Sequence, residues 1–104
     1  MLESSLEKRF VGSVREDGAQ ALKFTSPGTA GMPDRIVLIP GGKIIFVELK
    51  KPKQKLRPLQ QKRKRDLEKM GFQVEVVDSI ERIEEVCREI RAAQLSGVCD
   101  QRSD

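Results

Sequence analysis

Two consecutive apolar segments with ionisable residues at one shared end constrain this chain most strongly. Residues 34–40 read Asp-Arg-Ile-Val-Leu-Ile-Pro, and residues 43–50 read Lys-Ile-Ile-Phe-Val-Glu-Leu-Lys. Their central residues are apolar on both faces, which is typical of strands in the middle of a covered sheet. We therefore predict a hairpin of two buried strands, joined at Gly41-Gly42.

The hairpin turn decides whether the acidic residues of the two strands meet. A two-residue turn at Gly41-Gly42 would place Asp34 opposite Leu49, whereas a three-residue turn that includes Pro40 would place Asp34 opposite Glu48. Proline suits the first position of the longer turn, and glycine suits its left-handed third position. We predict the three-residue turn, with Asp34 and Glu48 side by side.

The end of the second strand carries a set of residues suited to metal chemistry. Glu48 and Lys50 point to the same face of a strand, and burying both is costly unless they pair or bind a metal. Asp34, Glu48 and the backbone carbonyl of Leu49 are oxygen ligands of the kind that Mg²⁺ prefers. Lys50 would orient a water or stabilise transition-state charge. The ordinary alternatives are a strand start at Asp34 and an edge-strand ion pair between Glu48 and Lys50.

Two predicted helices offer further polar residues. Glu7, on the first helix, could supply an outer carboxylate, and Glu3 is the alternative. Gln60, in the first turn of a basic helix, could hold the attacking water or a phosphate. Gln61 is hard to separate from Gln60 by sequence, and simple solvent exposure remains an alternative for each of these residues.

Positive charge is concentrated in one block. Nine of the 20 lysine and arginine residues lie between Leu49 and Arg65, whereas all 16 acidic residues lie elsewhere in the 104-residue chain. Such a block is expected for a protein that binds a polyanion such as DNA, although a solvated helix face with a basic loop is the alternative. The candidate DNA-binding residues in the block are Lys51, Lys53, Lys55, Arg57, Lys62 and Arg63.

Several classes of function are excluded by residues that the chain lacks. It has no histidine and no tyrosine, so it has no Ser-His-Asp machinery, no histidine-ligated zinc and no tyrosine nucleophile. No phosphate-binding GxxxxGK[ST] loop occurs. No apolar run approaches the ~20 residues of a membrane span, and no signal peptide is visible. Cys87 and Cys99 are expected to be reduced thiols of a cytoplasmic protein.

Hydrophobic spacing and breaker residues predict an α/β fold in the order α-β-β-β-α-β-α, with a mixed central sheet flanked by helices. We expect a folded domain over residues 1–93 and an irregular tail over residues 94–104. The predicted helices cover residues 3–16 and 57–70, and the apolar spacing from Ile80 to Ile90 marks a final amphipathic helix. The predicted strands cover residues 19–26, 34–40, 43–50 and 72–77.

The motif residues resemble a known nuclease signature. Pro33-Asp34 followed by Glu48-Leu49-Lys50 is similar to the PD-(D/E)XK pattern. A wider set of segments resembles the virus-type replication-repair nuclease (VRR-NUC) domain over residues 1 to about 90, in its compact stand-alone form from phages and prophages. These segments are Glu7, Lys23–Gly28, Gly31–Arg35, Pro40–Gly42, Phe46–Lys50, Leu59-Gln60 and Gly71-Phe72.

The resemblance implies a restriction-endonuclease-like core and phosphodiester hydrolysis that depends on Mg²⁺ or Mn²⁺. By this resemblance Asp34 and Glu48 match metal ligands, and Lys50 matches the catalytic lysine. Glu7 matches the acidic residue of the first helix, and Gln60 matches the glutamine of the later helix.

The resemblance also implies a DNA substrate and a partner. Lys23 falls in a family segment expected near the scissile phosphate, and the stand-alone members are similar to dimeric Holliday-junction resolvases that act on branched DNA. Because one site cuts one strand, symmetric cutting of a four-way junction needs two sites related by a twofold axis. We expect a homodimer in the cytoplasm of a bacterial host. A non-catalytic nucleic-acid-binding module and a structural partner in a phage replication complex are the alternatives.

Overall fold

The computed structural model describes the backbone of residues 2–102 and the side chains of residues 5–95. The elements follow the predicted order α-β-β-β-α-β-α. They are α1 (Leu2–Glu16), β1 (Gln20–Lys23), β2 (Arg35–Ile39), β3 (Lys43–Leu49), α2 (Pro58–Lys69), β4 (Gln73–Val77) and α3 (Ile80–Arg102).

The strands form a mixed four-stranded sheet in the order β1-β2-β3-β4, which confirms the predicted fold class. β1 pairs antiparallel with β2, and β2 pairs antiparallel with β3. β3 and β4 are parallel because α2 carries the chain back across the sheet between them.

The β2–β3 turn has the predicted three-residue form. Ile39 pairs with Lys43, so residues 40–42 form the turn, and Gly41 and Gly42 both have positive φ. The same register places Asp34, just before β2, opposite Glu48. The local turn chemistry therefore brings the two carboxylates to one end of the hairpin, as predicted.

Helices cover the two faces of the sheet unequally. On one face α1 and α3 bury the main core, which includes Phe10, Val37 and Ile83. On the other face α2 packs a smaller cluster of Leu67 against Phe46 and Val74. No helix within residues 2–102 combines the length and apolar character needed to cross a bilayer.

Two element boundaries differ from the sequence prediction by more than one residue. β1 ends at Lys23 rather than at residue 26, because the chain turns into the loop that precedes Asp34. α3 continues to Arg102, whereas we predicted an irregular tail from residue 94; Ser103 and Asp104 lie outside the described residues. The residues after 93 have no proline to stop the helix, and the Gln94 carboxamide donates a hydrogen bond to the Asp17 carbonyl after α1.

Candidate active site

Two acidic residues on neighbouring strands lie at the same end of the sheet. Asp34 precedes β2, and its Oδ1 atom accepts a hydrogen bond of 3.1 Å from the backbone N–H of Leu49 on β3. Glu48 is only 8% exposed and faces the α2 side of the sheet with Phe46. The hydrogen bond to Leu49 fixes the Asp34 carboxylate against the strand segment that carries Glu48.

A buried ammonium group lies beside the Glu48 carboxylate. Lys50 is 6% exposed, and its Nζ atom is 3.8 Å from Glu48 Oε2. The Lys50 backbone N–H donates a 2.9 Å hydrogen bond to the Val77 carbonyl, which extends the β3–β4 ladder past Leu49. Because this bond holds its backbone and a buried charge needs a partner, Lys50 is fixed next to Glu48.

A single glutamine connects α2 with this end of the sheet. Gln60 Oε1 accepts a 2.9 Å hydrogen bond from the Arg57 N–H, and Gln60 Nε2 donates a 3.2 Å hydrogen bond to Glu48 Oε2. The neighbouring Gln61 instead donates to the Leu56 carbonyl on the exposed side of the helix. The structure therefore separates the two glutamines, and it is Gln60 that contacts Glu48.

The loop before Asp34 packs directly on α2 and holds the helix in place. Gly31 has φ +86°, and a Cβ atom there would lie 2.7 Å from Leu59 Cγ and 3.0 Å from the Leu59 carbonyl oxygen. Arg63 Nε donates a 2.8 Å hydrogen bond to the Ala30 carbonyl. These contacts anchor the first turns of α2, and with them Gln60, above Glu48.

Glu7 does not join the two strand carboxylates. Its carboxylate forms an ion pair with the Arg35 guanidinium, a buried group on the α1 side of the sheet. Among the side chains of residues 5–95, no three acidic, cysteine or histidine residues form a metal-binding group. The alternative, Glu3, lies outside that range. Arg35 was not among the predicted site residues, although a charged residue in an apolar strand indicates that a buried partner is needed.

The connector between β3 and α2 carries four of the predicted DNA-binding residues. Lys51, Lys53, Lys55 and Arg57 are exposed, and none of them forms an ion pair with a carboxylate in the part of the chain that the structure describes. The Gln54 N–H donates to the Lys51 carbonyl, and Gln54 Oε1 accepts from the Lys51 N–H. The connector is therefore a hydrogen-bonded turn that displays positive charge.

The remaining predicted DNA-binding residues lie in other settings. Lys62 forms a 3.0 Å ion pair with Asp66, and its hydrogen bond lowers the pKa of that exposed carboxyl. Arg63 is bonded to the Ala30 carbonyl and lies 3.9 Å from Asp66. Lys23 is exposed at the end of β1. The basic block is thus divided between an unpaired connector and a helix with internal partners.

The donor set suits a hard divalent cation. Asp34 and Glu48 offer carboxylate oxygens on neighbouring strands, and the Leu49 carbonyl lies between Glu48 and Lys50 in the chain. Mg²⁺ and Mn²⁺ prefer such oxygen ligands and keep several coordination positions for water or phosphate. The residues present therefore fit a cation held from one side of the site.

Comparisons with known proteins agree with this architecture. Residues 3–81 match the family model of the VRR-NUC domain. A protein of Acyrthosiphon pisum secondary endosymbiont phage 1, named "Putative nuclease p44", is 51% identical over 77 residues, which cover 74% of this chain and 83% of the phage protein. A solved structure described as "VRR_NUC domain" has a TM-score of 0.79 and 28% identity, covering 85% of this chain and 96% of the other. The chain belongs to the VRR-NUC nuclease family.

Proposed function

We propose that this protein is a divalent-metal-dependent endonuclease that hydrolyses phosphodiester bonds in branched DNA and resolves four-way junctions as a homodimer. One observation carries the proposal: Asp34, Glu48, Lys50 and Gln60 meet at one end of the sheet, joined by contacts of 2.9–3.8 Å to one another or to the adjoining backbone. Membership of the VRR-NUC family supports the same reaction class.

Asp34, Glu48 and the Leu49 carbonyl are the groups that would hold Mg²⁺ or Mn²⁺. When bound, such an ion polarises a phosphate and lowers the pKa of a coordinated water. Gln60 keeps the Glu48 carboxylate in one orientation, because the Arg57 N–H fixes the other end of its carboxamide. Lys50 places its ammonium beside Glu48, where it can stabilise negative charge that develops on a phosphate oxygen.

The connector supports binding of the DNA backbone next to this chemistry. It begins at Lys51, directly after the buried Lys50, and ends at Arg57, the N-cap residue of α2. Its exposed cations therefore lie, in sequence, between Lys50, which contacts Glu48, and α2, which carries Gln60. Binding through these cations is expected to weaken steeply as the salt concentration rises.

A substrate panel tests the proposed reaction. Labelled duplex, flap, splayed-arm and four-way-junction DNA are incubated with the protein in Mg²⁺ and in Mn²⁺. We expect junction cleavage by the native protein, and a loss of at least about 100-fold in rate for Asp34→Ala, Glu48→Gln or Lys50→Met. Glu68→Gln is the matched control, because Glu68 is an exposed carboxylate paired with Lys64 on α2. Circular dichroism checks the fold of each variant.

The outcomes separate catalysis from simple binding. If all three site variants cleave at the native rate, the assignment of these residues is wrong. If the native protein cleaves nothing with either metal yet binds DNA in a salt-dependent manner, the alternative of a non-catalytic nucleic-acid-binding module is favoured. Cleavage of linear duplex as fast as junction DNA would contradict the resolvase proposal and leave a general endonuclease.

The dimer is tested by mass in solution. Two equivalent cuts in a junction need two sites related by a twofold axis, and a single domain of this size supplies one. Light scattering and sedimentation at micromolar concentration should give twice the mass of the 104-residue chain. A monomer both with and without junction DNA would contradict symmetric resolution by this protein alone.

A further inference from the structure

Arg35 places a buried positive charge one residue after Asp34. It is 7% exposed, and strand alternation directs its side chain to the same face as Val37 and Ile39, which lie in the main core under α1 and α3. Asp34, by the same alternation, points to the face covered by α2. The start of β2 therefore carries an acid toward the proposed active site and a cation into the core behind it.

Glu7 neutralises this buried cation. The Arg35 guanidinium donates to Glu7 Oε2, and this is the ion pair that the structure gives Arg35. Burying a guanidinium is costly without such a partner, and removing one member of a buried pair is strongly destabilising. Because Glu7 lies on α1, the pair ties that helix to the first residue of β2.

The position of Asp34 depends on this first residue. The chain reaches β2 from the loop packed on α2, and hydrogen bonds hold Asp34 on two sides. Its carbonyl accepts from the Phe24 N–H at 2.9 Å, and its Oδ1 atom accepts from the Leu49 N–H at 3.1 Å. Both bonds lie at the end of the antiparallel ladder, where pairing frays most easily. An Arg35 side chain without its partner would turn toward water and draw the start of β2 with it.

We propose that Arg35 is a positioning residue for the nuclease site, and that Glu7 acts through Arg35 as its counter-ion. Through the pair, α1 holds the start of β2 in the register that keeps the Asp34 carboxylate on the Leu49 amide. The inference rests on the proposed function only in taking Asp34 to be an active-site residue.

Amide hydrogen exchange measures the placement of Asp34 without metal, DNA or catalysis. Under native conditions, the exchange rate of the Leu49 amide reports its hydrogen bond to Asp34 Oδ1. The Lys50 amide, bonded to the Val77 carbonyl at the same end of the sheet, is the internal reference. The Asp34→Ala variant gives the Leu49 rate when the side-chain bond is absent.

We expect Glu7→Gln and Arg35→Met each to accelerate exchange of the Leu49 amide by about tenfold or more, while the Lys50 amide changes by less than about threefold. The double variant should be no faster than either single variant, because both changes break the same pair. Arg35→Lys, which keeps the charge without the planar guanidinium, should recover part of the protection.

Three results would overturn the inference: unchanged Leu49 exchange in both single variants, acceleration in only one of them, or equal acceleration of the Leu49 and Lys50 amides. The last result would indicate general loss of stability without a specific effect on Asp34. A negative junction-cleavage assay would contradict the proposed function but would leave this measurement unaffected, so the two failures are distinguishable.

Discussion

Changing Gln60 to glutamate should turn a stabilising contact at the site into a repulsive one. In the native protein Gln60 Nε2 donates to Glu48 Oε2 at 3.2 Å. In Gln60→Glu, a carboxylate oxygen would occupy the position of that donor. Two like charges at this distance repel by about 5 kcal/mol at an effective dielectric constant near 20. Because Gln60 is half-buried and Lys50 lies nearby, we expect about 2–3 kcal/mol to remain.

The predicted loss of stability has a definite dependence on pH. Repulsion raises the folded-state pKa of one carboxyl above its unfolded value of about 4.3. A raised pKa means that the folded state binds the proton more tightly, so the variant should nearly match the native protein below about pH 4.3. The difference in unfolding free energy should then grow as the pH rises through the raised pKa, and reach its full size near pH 8.

Urea unfolding followed by circular dichroism between pH 4 and pH 8 measures this difference. Gln61→Glu is the matched control, because Gln61 is exposed and donates to the Leu56 carbonyl. This variant should change stability by less than about 0.5 kcal/mol at any pH. If both variants lose the same stability, or if the Gln60→Glu difference does not vary with pH, the contact between Gln60 and Glu48 does not exist as described.

Further predictions concern packing and thiol chemistry. Gly31→Ala should destabilise the protein by about 2–3 kcal/mol in thermal unfolding, because the new Cβ atom would meet Leu59 and φ is positive; Gly28→Ala, with open space around it, should change stability by less than about 1 kcal/mol. Burial raises the pKa of the Cys87 thiol to about 11, so in a Cys99→Ser variant iodoacetamide should react at pH 8 at least about tenfold more slowly than with a free thiol. The free energy of unfolding should fall as the pH rises from about 9 to about 11, because the Cys87 thiol ionises at lower pH in the unfolded state than in the folded state. Rapid alkylation of Cys87 at pH 8 would contradict its burial.

Local sequence chemistry predicted the hairpin and its register correctly. Proline at the first turn position and two glycines after it favour one turn length, and the turn length sets which residues face each other. The pairing of Asp34 with Glu48 followed from these residues alone. The alternation of side chains along β3 likewise placed Glu48 and Lys50 on one face, where the structure gives them an ion pair.

Residues on helices were harder to assign, because the packed face of a helix depends on contacts far away in sequence. The spacing of Gln60 and Gln61 could not distinguish them. The packing of α2 against the loop before Asp34 places Gln60 beside Glu48. Glu7 matched an acidic residue of the family by position, yet its carboxylate lies on Arg35.

The basic residues were predicted as one DNA-binding block, and the structure gives them different partners. Lys62 and Arg63 had the composition of a nucleic-acid-binding helix, but each has a partner within the protein. Composition reports how much charge a segment carries, whereas the number of unpaired charges depends on which carboxylates and carbonyls lie within reach.

By itself, the sequence determined the fold class, the order of its elements and the pair of acids at the hairpin end. These depend on hydrophobic periodicity and turn stereochemistry, which act between near neighbours in the chain. Only the tertiary structure decided which helical side chains reach the acids and that Arg35 is buried against Glu7. Those outcomes depend on how the helices pack against the two faces of the sheet, and this packing involves residues that are far apart in sequence.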